Sequence, residues 1–169
     1  MIIIVFGLPG SGKTYFAERL AHRIKANLIS SDTLRKEIVD VPTYSDDEKR
    51  LIYKKMFDIM YDFLHSKNHL VLDGTFYKAE LRNNFIEEAQ GIGKNISFIE
   101  IQADEGLIEE RLAHKRKTSD ADFEVYQRIK NEFEPFHLDH LVLKSTNENI
   151  NEMLGTAMEY LFPQHVIKQ

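Results

Sequence analysis

The residues from Gly7 to Thr14 have the types and spacing of a phosphate cradle. Gly7-Leu8-Pro9-Gly10-Ser11-Gly12-Lys13-Thr14 matches the pattern GxxxxGK[ST] at every fixed position. Glycines let the backbone curl so that successive N–H groups point inward at phosphate oxygens. Lys13 is placed to reach the β- and γ-phosphates of ATP, and the Thr14 hydroxyl to ligate Mg²⁺. From average composition, a chain of 169 residues matches these positions by chance on the order of 1% of the time. The motif also has its required context, an apolar run before it and an amphipathic segment after it.

A second constellation is Asp32 and Arg35, three residues apart in Ser31-Asp32-Thr33-Leu34-Arg35. Spaced so, both can face one side of a first helical turn. A carboxylate near the γ-phosphate can take a proton from an acceptor hydroxyl. A neighbouring arginine can hold an anionic group of that acceptor with two hydrogen bonds. The competing reading is a helix start, with Ser31 or Asp32 as cap and Arg35 as a surface charge. Leu70-Val71-Leu72-Asp73-Gly74-Thr75 is an apolar strand ending in a carboxylate. Asp73 is thus expected either to position Mg²⁺ through water or to cap a turn.

A third cluster, Glu109 to Lys117, ends in dense positive charge, and Ser119 with Asp122 restarts a helix. A cationic helix–loop–helix suits a lid that closes over the γ-phosphoryl group. The cluster holds Arg111, Lys115, Arg116 and Lys117. A solvated helix end, where cations suit the macrodipole, competes with that reading. Tyr44 and Phe76 flank the expected rim and are candidates for the acceptor pocket. Seven histidines are scattered without metal-ligand spacing, and the Tyr and Phe residues between 53 and 63 read as core. Asp46-Asp47-Glu48 reads as a helix start.

The elements that must position these groups are legible in the hydrophobic pattern. Apolar runs at 2–6, 27–30, 69–72, 96–101 and 141–143 alternate with helical segments at 13–25, from 32, 46–65, 78–90, 104–115, 121–133 and 149–161. The alternation implies an α/β domain, a three-layer sandwich around a five-stranded parallel sheet. Gly91 and Gly93 are expected to stop the helix before the fourth strand. In such a sheet, ligands bind at the carboxyl ends of strands, which puts Gly7–Thr14, Asp32 and Asp73 on one rim.

Composition bounds the function. The chain reads as one domain over residues 1–169, with 43% hydrophobic and 29% charged residues. It has no cysteine, which excludes disulfides and thiolate chemistry and fits a cytoplasmic setting. No apolar run is long enough for a membrane span, and residues 1–6 read as a strand rather than a leader. The net charge of −5 argues against a long nucleic-acid footprint.

GLPGSGKT, ISSDTLR, LVLDGTF and ERLAHKR together resemble the P-loop kinases related to polynucleotide 5′-hydroxyl kinases, a group that includes zeta-toxin-like and antibiotic kinases of the AAA type. The resemblance spans about residues 1–135. It implies a P-loop NTPase fold of the nucleoside-monophosphate-kinase kind, strand order 2-3-1-4-5, with a helical lid near 111–123. It implies Asp32 as general base, Arg35 on the acceptor, Asp73 either serving Mg²⁺ or holding Arg35, and Arg111 and Arg116 as the lid arginines over the γ-phosphoryl group, with Lys115 an alternative to Arg116. The loop Ser145 to Glu148 would lie near the adenine. The expected activity is transfer of the γ-phosphoryl group of ATP to a hydroxyl. A nucleic-acid 5′-hydroxyl is favoured by the DxxR element, and a small metabolite or antibiotic by the acidic charge and short chain. A nucleotide-dependent switch with slow ATPase activity is the reading from another class.

Overall fold

The computed structural model describes residues 1–113 and 123–163. Arg116, Lys115, Lys117, Ser119 and Asp122, and with them most of the expected lid, lie outside the described residues.

β1 (Ile2–Phe6) is five consecutive buried apolar residues. Strand alternation sends Ile2, Ile4 and Phe6 into one core and Ile3 and Val5 into the other. β3 (Leu70–Asp73) divides in the same way, with Leu70 and Leu72 on one face and Val71 on the other. A strand buried on both faces needs layers above and below it. α1 (Lys13–Ile24) and α7 (Ile150–Leu161) cover one face, through Phe16, Leu20, Met153, Leu154 and Ala157. α3 (Asp46–Leu64) and α4 (Ala79–Gly91) cover the other, through Ile52, Met56, Met60, Phe85 and Ala89. Each fully buried Leu, Ile, Phe or Met contributes about 1.5–3 kcal/mol relative to exposure.

β2 (Asn27–Ser30), β4 (Ile96–Gln102) and β5 (Leu141–Lys144) complete a five-stranded sheet in the order β2-β3-β1-β4-β5, with every pairing parallel. The strand order and the three-layer P-loop NTPase kinase fold are those expected. Register matters most at the carboxyl edge, where Asp73 lies level with Ser30 on one side and Val5 on the other. The remaining helices are α2 (Ser31–Ile38), α5 (Glu105–Ala113) and α6 (Phe123–Glu132). Among the described residues, no helix is long and apolar enough to cross a membrane.

Boundaries differ from the sequence reading where a side chain or glycine acts unexpectedly. α4 runs through Gly91, and Gly93, two residues on, takes the left-handed turn with a φ of 68°. Asp104 pairs its carboxylate with Lys144 at 2.7 Å while its carbonyl accepts the Ile108 N–H.

Candidate active site

The phosphate loop, Gly7 to Thr14, leaves β1 and enters α1. Gly7, Gly10 and Gly12 all have positive φ, at 146°, 77° and 92°. A side chain at Gly7 would collide with the Ile101 carbonyl oxygen, and one at Gly10 would come 2.9 Å from the Ile108 side chain. α1 begins without a side-chain cap and without an acidic residue in its first turn. Its first N–H groups and positive end are therefore uncompensated, which is the condition for holding an anion there.

Asp73 sits at the end of β3, only 1% exposed. Its Oδ2 accepts hydrogen bonds from the Thr14 hydroxyl at 2.8 Å and the Ser30 hydroxyl at 2.9 Å. Its Oδ1 is buried without a hydrogen-bond partner among the described residues. Burial pushes the carboxyl pKa up, against the opposing pull of Lys13 and the two hydroxyls. A buried oxygen lone pair beside the Thr14 hydroxyl, at the head of the phosphate loop, fits Mg²⁺ held directly or through water. Ser30 is the residue before α2, yet its hydroxyl serves Asp73 and caps nothing.

Asp32 and Arg35 lie in α2 and do meet, with Arg35 Nη1 2.9 Å from Asp32 Oδ1. Neither Ser31 nor Asp32 caps the helix. Asp73 does not hold Arg35; among the described residues its hydrogen bonds come from the two hydroxyls. Glu48 of α3 holds it instead: Arg35 Nε lies 2.8 Å from Glu48 Oε1, an ion pair whose N–H is turned off the line of a hydrogen bond. The other oxygen of Glu48 accepts from the Thr43 N–H at 2.5 Å, the Thr43 hydroxyl at 2.7 Å and the Tyr44 N–H at 3.1 Å. Burial alone would raise the Glu48 pKa, but the Thr43 and Tyr44 donors and Arg35 together hold it below the ordinary value. Tyr44 has a φ of 55°, and the Arg35 guanidinium lies 4.7 Å from the centre of its ring. One buried carboxylate thus fixes an arginine and the loop whose tyrosine stacks on it.

These groups line a cavity of about 320 Å³ at the strand ends, beside Pro9 and Lys13. Asp32, Arg35, Thr43, Tyr44 and Thr75 form one side, and Lys49, Tyr53 and Tyr77 continue it along α3 and the segment after β3. Val125, Arg128 and Ile129 of α6 close the remaining side. Arg82, 1% exposed, fastens that wall by donating to the carbonyls of Phe76, Glu134 and Pro135. The Tyr53 hydroxyl shares a hydrogen bond with Thr75 and accepts the Phe76 N–H, and burial pushes its pKa up to about 12.

Phe76 corrects an expectation. It has no exposure and does not line the cavity; its ring packs on Tyr53 and Phe85 in the core. The backbone turns there with a φ of 45°, which carries the side chain under the rim rather than onto it. Arg111, an expected lid arginine, reaches the phosphate loop. Its guanidinium donates to the carbonyls of Gly10 and Ser11, to Ser145 Oγ and to Asn147 Oδ1. It ties the phosphate loop to the segment after β5. Among the described residues no cluster of three or more His, Cys, Asp or Glu could hold a metal.

Sequence reasoning missed Glu48, Lys49, Arg128 and the two tyrosines Tyr53 and Tyr77. The signal for Glu48 was present as Ser45-Asp46-Asp47-Glu48, the pattern of a capping box. The Ser45 hydroxyl does cap the Glu48 N–H, but the Glu48 carboxylate turns away to the loop before it and to Arg35.

Known proteins share this fold. A probable gluconokinase from Dictyostelium discoideum is 26% identical over 124 residues, which take in 69% of this chain and 62% of that protein. A sugar kinase from Janibacter sp. HTCC2649 superposes with a TM-score of 0.73 at 15% identity, covering 99% of this chain and 98% of the other. An APS kinase from Mycobacterium tuberculosis, in complex with AMPPNP and APS, gives a TM-score of 0.69 at 19% identity, covering 95% and 96%. Over residues 2–136 the sequence matches the AAA domain family, and the chain belongs to it.

Proposed function

We propose that this protein is an ATP-dependent phosphotransferase acting on a hydroxyl group of a small molecule. The observation that carries the reading is the cavity of about 320 Å³ with Lys13 and the Asp32–Arg35 pair among its lining residues. That volume is at the lower end of the range of about 300–1,000 Å³ for small-molecule sites. A switch needs no acceptor cavity with a carboxylate in it. Gluconokinase, sugar kinase and APS kinase, the names of the similar proteins, all denote small-molecule acceptors and favour this reading over a nucleic-acid 5′-hydroxyl. So does Asp73, which does not hold Arg35 as the resemblance to polynucleotide kinases allowed.

In this reading the phosphate-loop amides and Lys13 bind the ATP phosphates, and Thr14 and Asp73 hold Mg²⁺. Bound there, Mg²⁺ would supply positive charge to offset that of the phosphates. Asp32 takes the acceptor proton as the acceptor oxygen bonds to the γ-phosphorus and the bond to the β–γ bridging oxygen breaks. Arg35 occupies Asp32 Oδ1 and leaves Oδ2 without a hydrogen-bond partner among the described residues. Arg35, fixed by Glu48, positions the acceptor. Arg111 braces the phosphate loop from the side of Asn147. The expected lid arginine at Arg116 keeps its proposed role over the γ-phosphoryl group.

The test is ATP consumption with and without small polyols, sugar acids and a 5′-hydroxyl oligonucleotide, with phosphorylated products identified by mass. Stimulation by a small acceptor, with its phosphorylated product, is expected. Slow turnover that no acceptor stimulates would sink the reading in favour of the switch, and transfer to the oligonucleotide alone would reinstate the nucleic-acid end.

A further inference from the structure

We infer that the acceptor carries an anionic group, a carboxylate or a phosphate, on a polyhydroxylated frame, and that Lys49 and Arg128 grip it. The inference rests on the kinase reading and concerns the same cavity. Among the described residues, four cations line the cavity, Lys13, Arg35, Lys49 and Arg128, against one carboxylate, Asp32. Two of the cations are already committed. Lys13 belongs to the ATP phosphates, and Arg35 is matched by two carboxylates, Asp32 at 2.9 Å and Glu48 at 2.8 Å.

Lys49 and Arg128 are not so matched. The Lys49 side chain is only 15% exposed, while its partner Asp46, at 3.1 Å, is 77% exposed and meets water. An ion pair with so exposed a partner neutralises little. Lys49 Nζ also lies 3.4 Å from the Tyr77 hydroxyl, which aims the ammonium along the cavity wall. Arg128 makes no hydrogen bond or ion pair among the described residues, yet it lines the cavity from α6. Two cations from separate elements, α3 and α6, therefore line one cavity. The carboxylate that feels the charge of both, Asp46, stands outside it in solvent. A guanidinium and an ammonium on one cavity wall are a fitting pair of donors for an anion. Thr43, Tyr44, Thr75 and Tyr77 supply hydroxyls around the same space, which suits a polyol rather than a hydrocarbon.

The experiment compares acceptors in pairs that differ in the anion alone: D-gluconate with D-sorbitol, ribose 5-phosphate with ribose, and glycerol 3-phosphate with glycerol. For at least one pair, kcat/KM for the anion should exceed that for its neutral partner by about 100-fold. A preference confined to gluconate assigns a carboxylate, and one confined to the other pairs a phosphate. Lys49→Met and Arg128→Met, checked for fold by circular dichroism, should each shrink that preference about 10- to 100-fold, the loss of a charge-assisted hydrogen bond. Binding gives a readout apart from turnover: the preferred anion should raise Tm of the AMPPNP-bound protein, and each variant should lose that rise. Arg128 is exposed, so its variant keeps the test valid if the Lys49 variant fails to fold. Equal use of anionic and neutral partners, or a preference untouched in both variants, overturns the inference while leaving the kinase standing. Transfer to no member of any pair, with no anion binding, overturns both.

Discussion

Removing the Glu48 carboxylate should damage acceptor use far more than ATP use. Glu48 is 8% exposed, and its two oxygens receive Arg35, the Thr43 N–H and hydroxyl, and the Tyr44 N–H. Glu48→Ala leaves Arg35, itself 6% exposed, with Asp32 alone, and strands two backbone donors. Breaking one side of a buried ion pair costs about 3–5 kcal/mol. For a chain of this size each kcal/mol moves Tm by about 2–4 °C, so a fall of about 6–20 °C is expected. Glu48→Gln keeps an oxygen for the Thr43 and Tyr44 amides and loses only the charge facing Arg35. It should fold, cost about 1.5–3 kcal/mol, and raise the acceptor KM by about 10- to 100-fold with the ATP KM nearly unchanged. The pH dependence has a definite sign. Because the folded pKa lies below the ordinary 4.5, the ionised Glu48 stabilises the fold at neutral pH, and that contribution is lost as pH falls from 4.5 through the folded pKa. The Tm gap between wild type and Glu48→Gln should therefore close in that window. Thermal melts from about pH 3 to 7 and two-substrate kinetics read both effects. A folded Glu48→Gln variant with unchanged acceptor KM, or with equal losses toward ATP and acceptor, would refute the reasoning.

Asp32→Asn should lower kcat by about 10²- to 10⁴-fold with little change in ATP KM, as removal of a general base does; unchanged turnover in steady-state assays would leave Asp32 only its pairing with Arg35. Asp73→Asn removes a desolvated charge, so Tm of the ligand-free protein should hold or rise, while affinity for Mg²⁺ falls about 10- to 100-fold; a lower ligand-free Tm would mean that attraction to Lys13 outweighs burial. Arg111→Met should raise the ATP KM more than about tenfold and spare the acceptor KM, since the Gly10 carbonyl loses this donor and the Ser11 carbonyl keeps only the Ser145 hydroxyl. A loss confined to kcat would instead put Arg111 over the transferring group.

The sequence disclosed most of the fold because its signals are local. β1 is five apolar residues followed at once by Gly7, and nothing competes with a buried strand there. Asp32 and Arg35 were readable together because a three-residue spacing fixes their juxtaposition within one helical turn. Phe76 was misread because closeness to Asp73 in sequence stood in for closeness in space, and a left-handed turn after Gly74 separates the two. Lys49 and Arg128 escaped notice for the reverse reason. They are 79 residues apart, and only the packing of α6 beside the strand ends brings them to one cavity. Nothing in the periodicity of either helix reports that meeting.

The register of the sheet decides which carboxylate holds Arg35. Asp73 is level with Ser30 across the β2–β3 pairing, and the phosphate loop leaves β1 on its other side. Its Oδ2 is thereby enclosed by the Ser30 and Thr14 hydroxyls, and its environment favours a neutral or metal-bound oxygen. Arg35 stands in α2 about one helical turn later, beyond that enclosure, where the first turn of α3 presents Glu48 among backbone donors that favour the charged form. The two carboxylates thus divide the work by surroundings. In the proposed reading Asp73, desolvated and hydroxyl-bound, serves the metal and the phosphate loop. Glu48, held ionised, serves the acceptor arginine, and that separation is why altering Glu48 is expected to spare the nucleotide side.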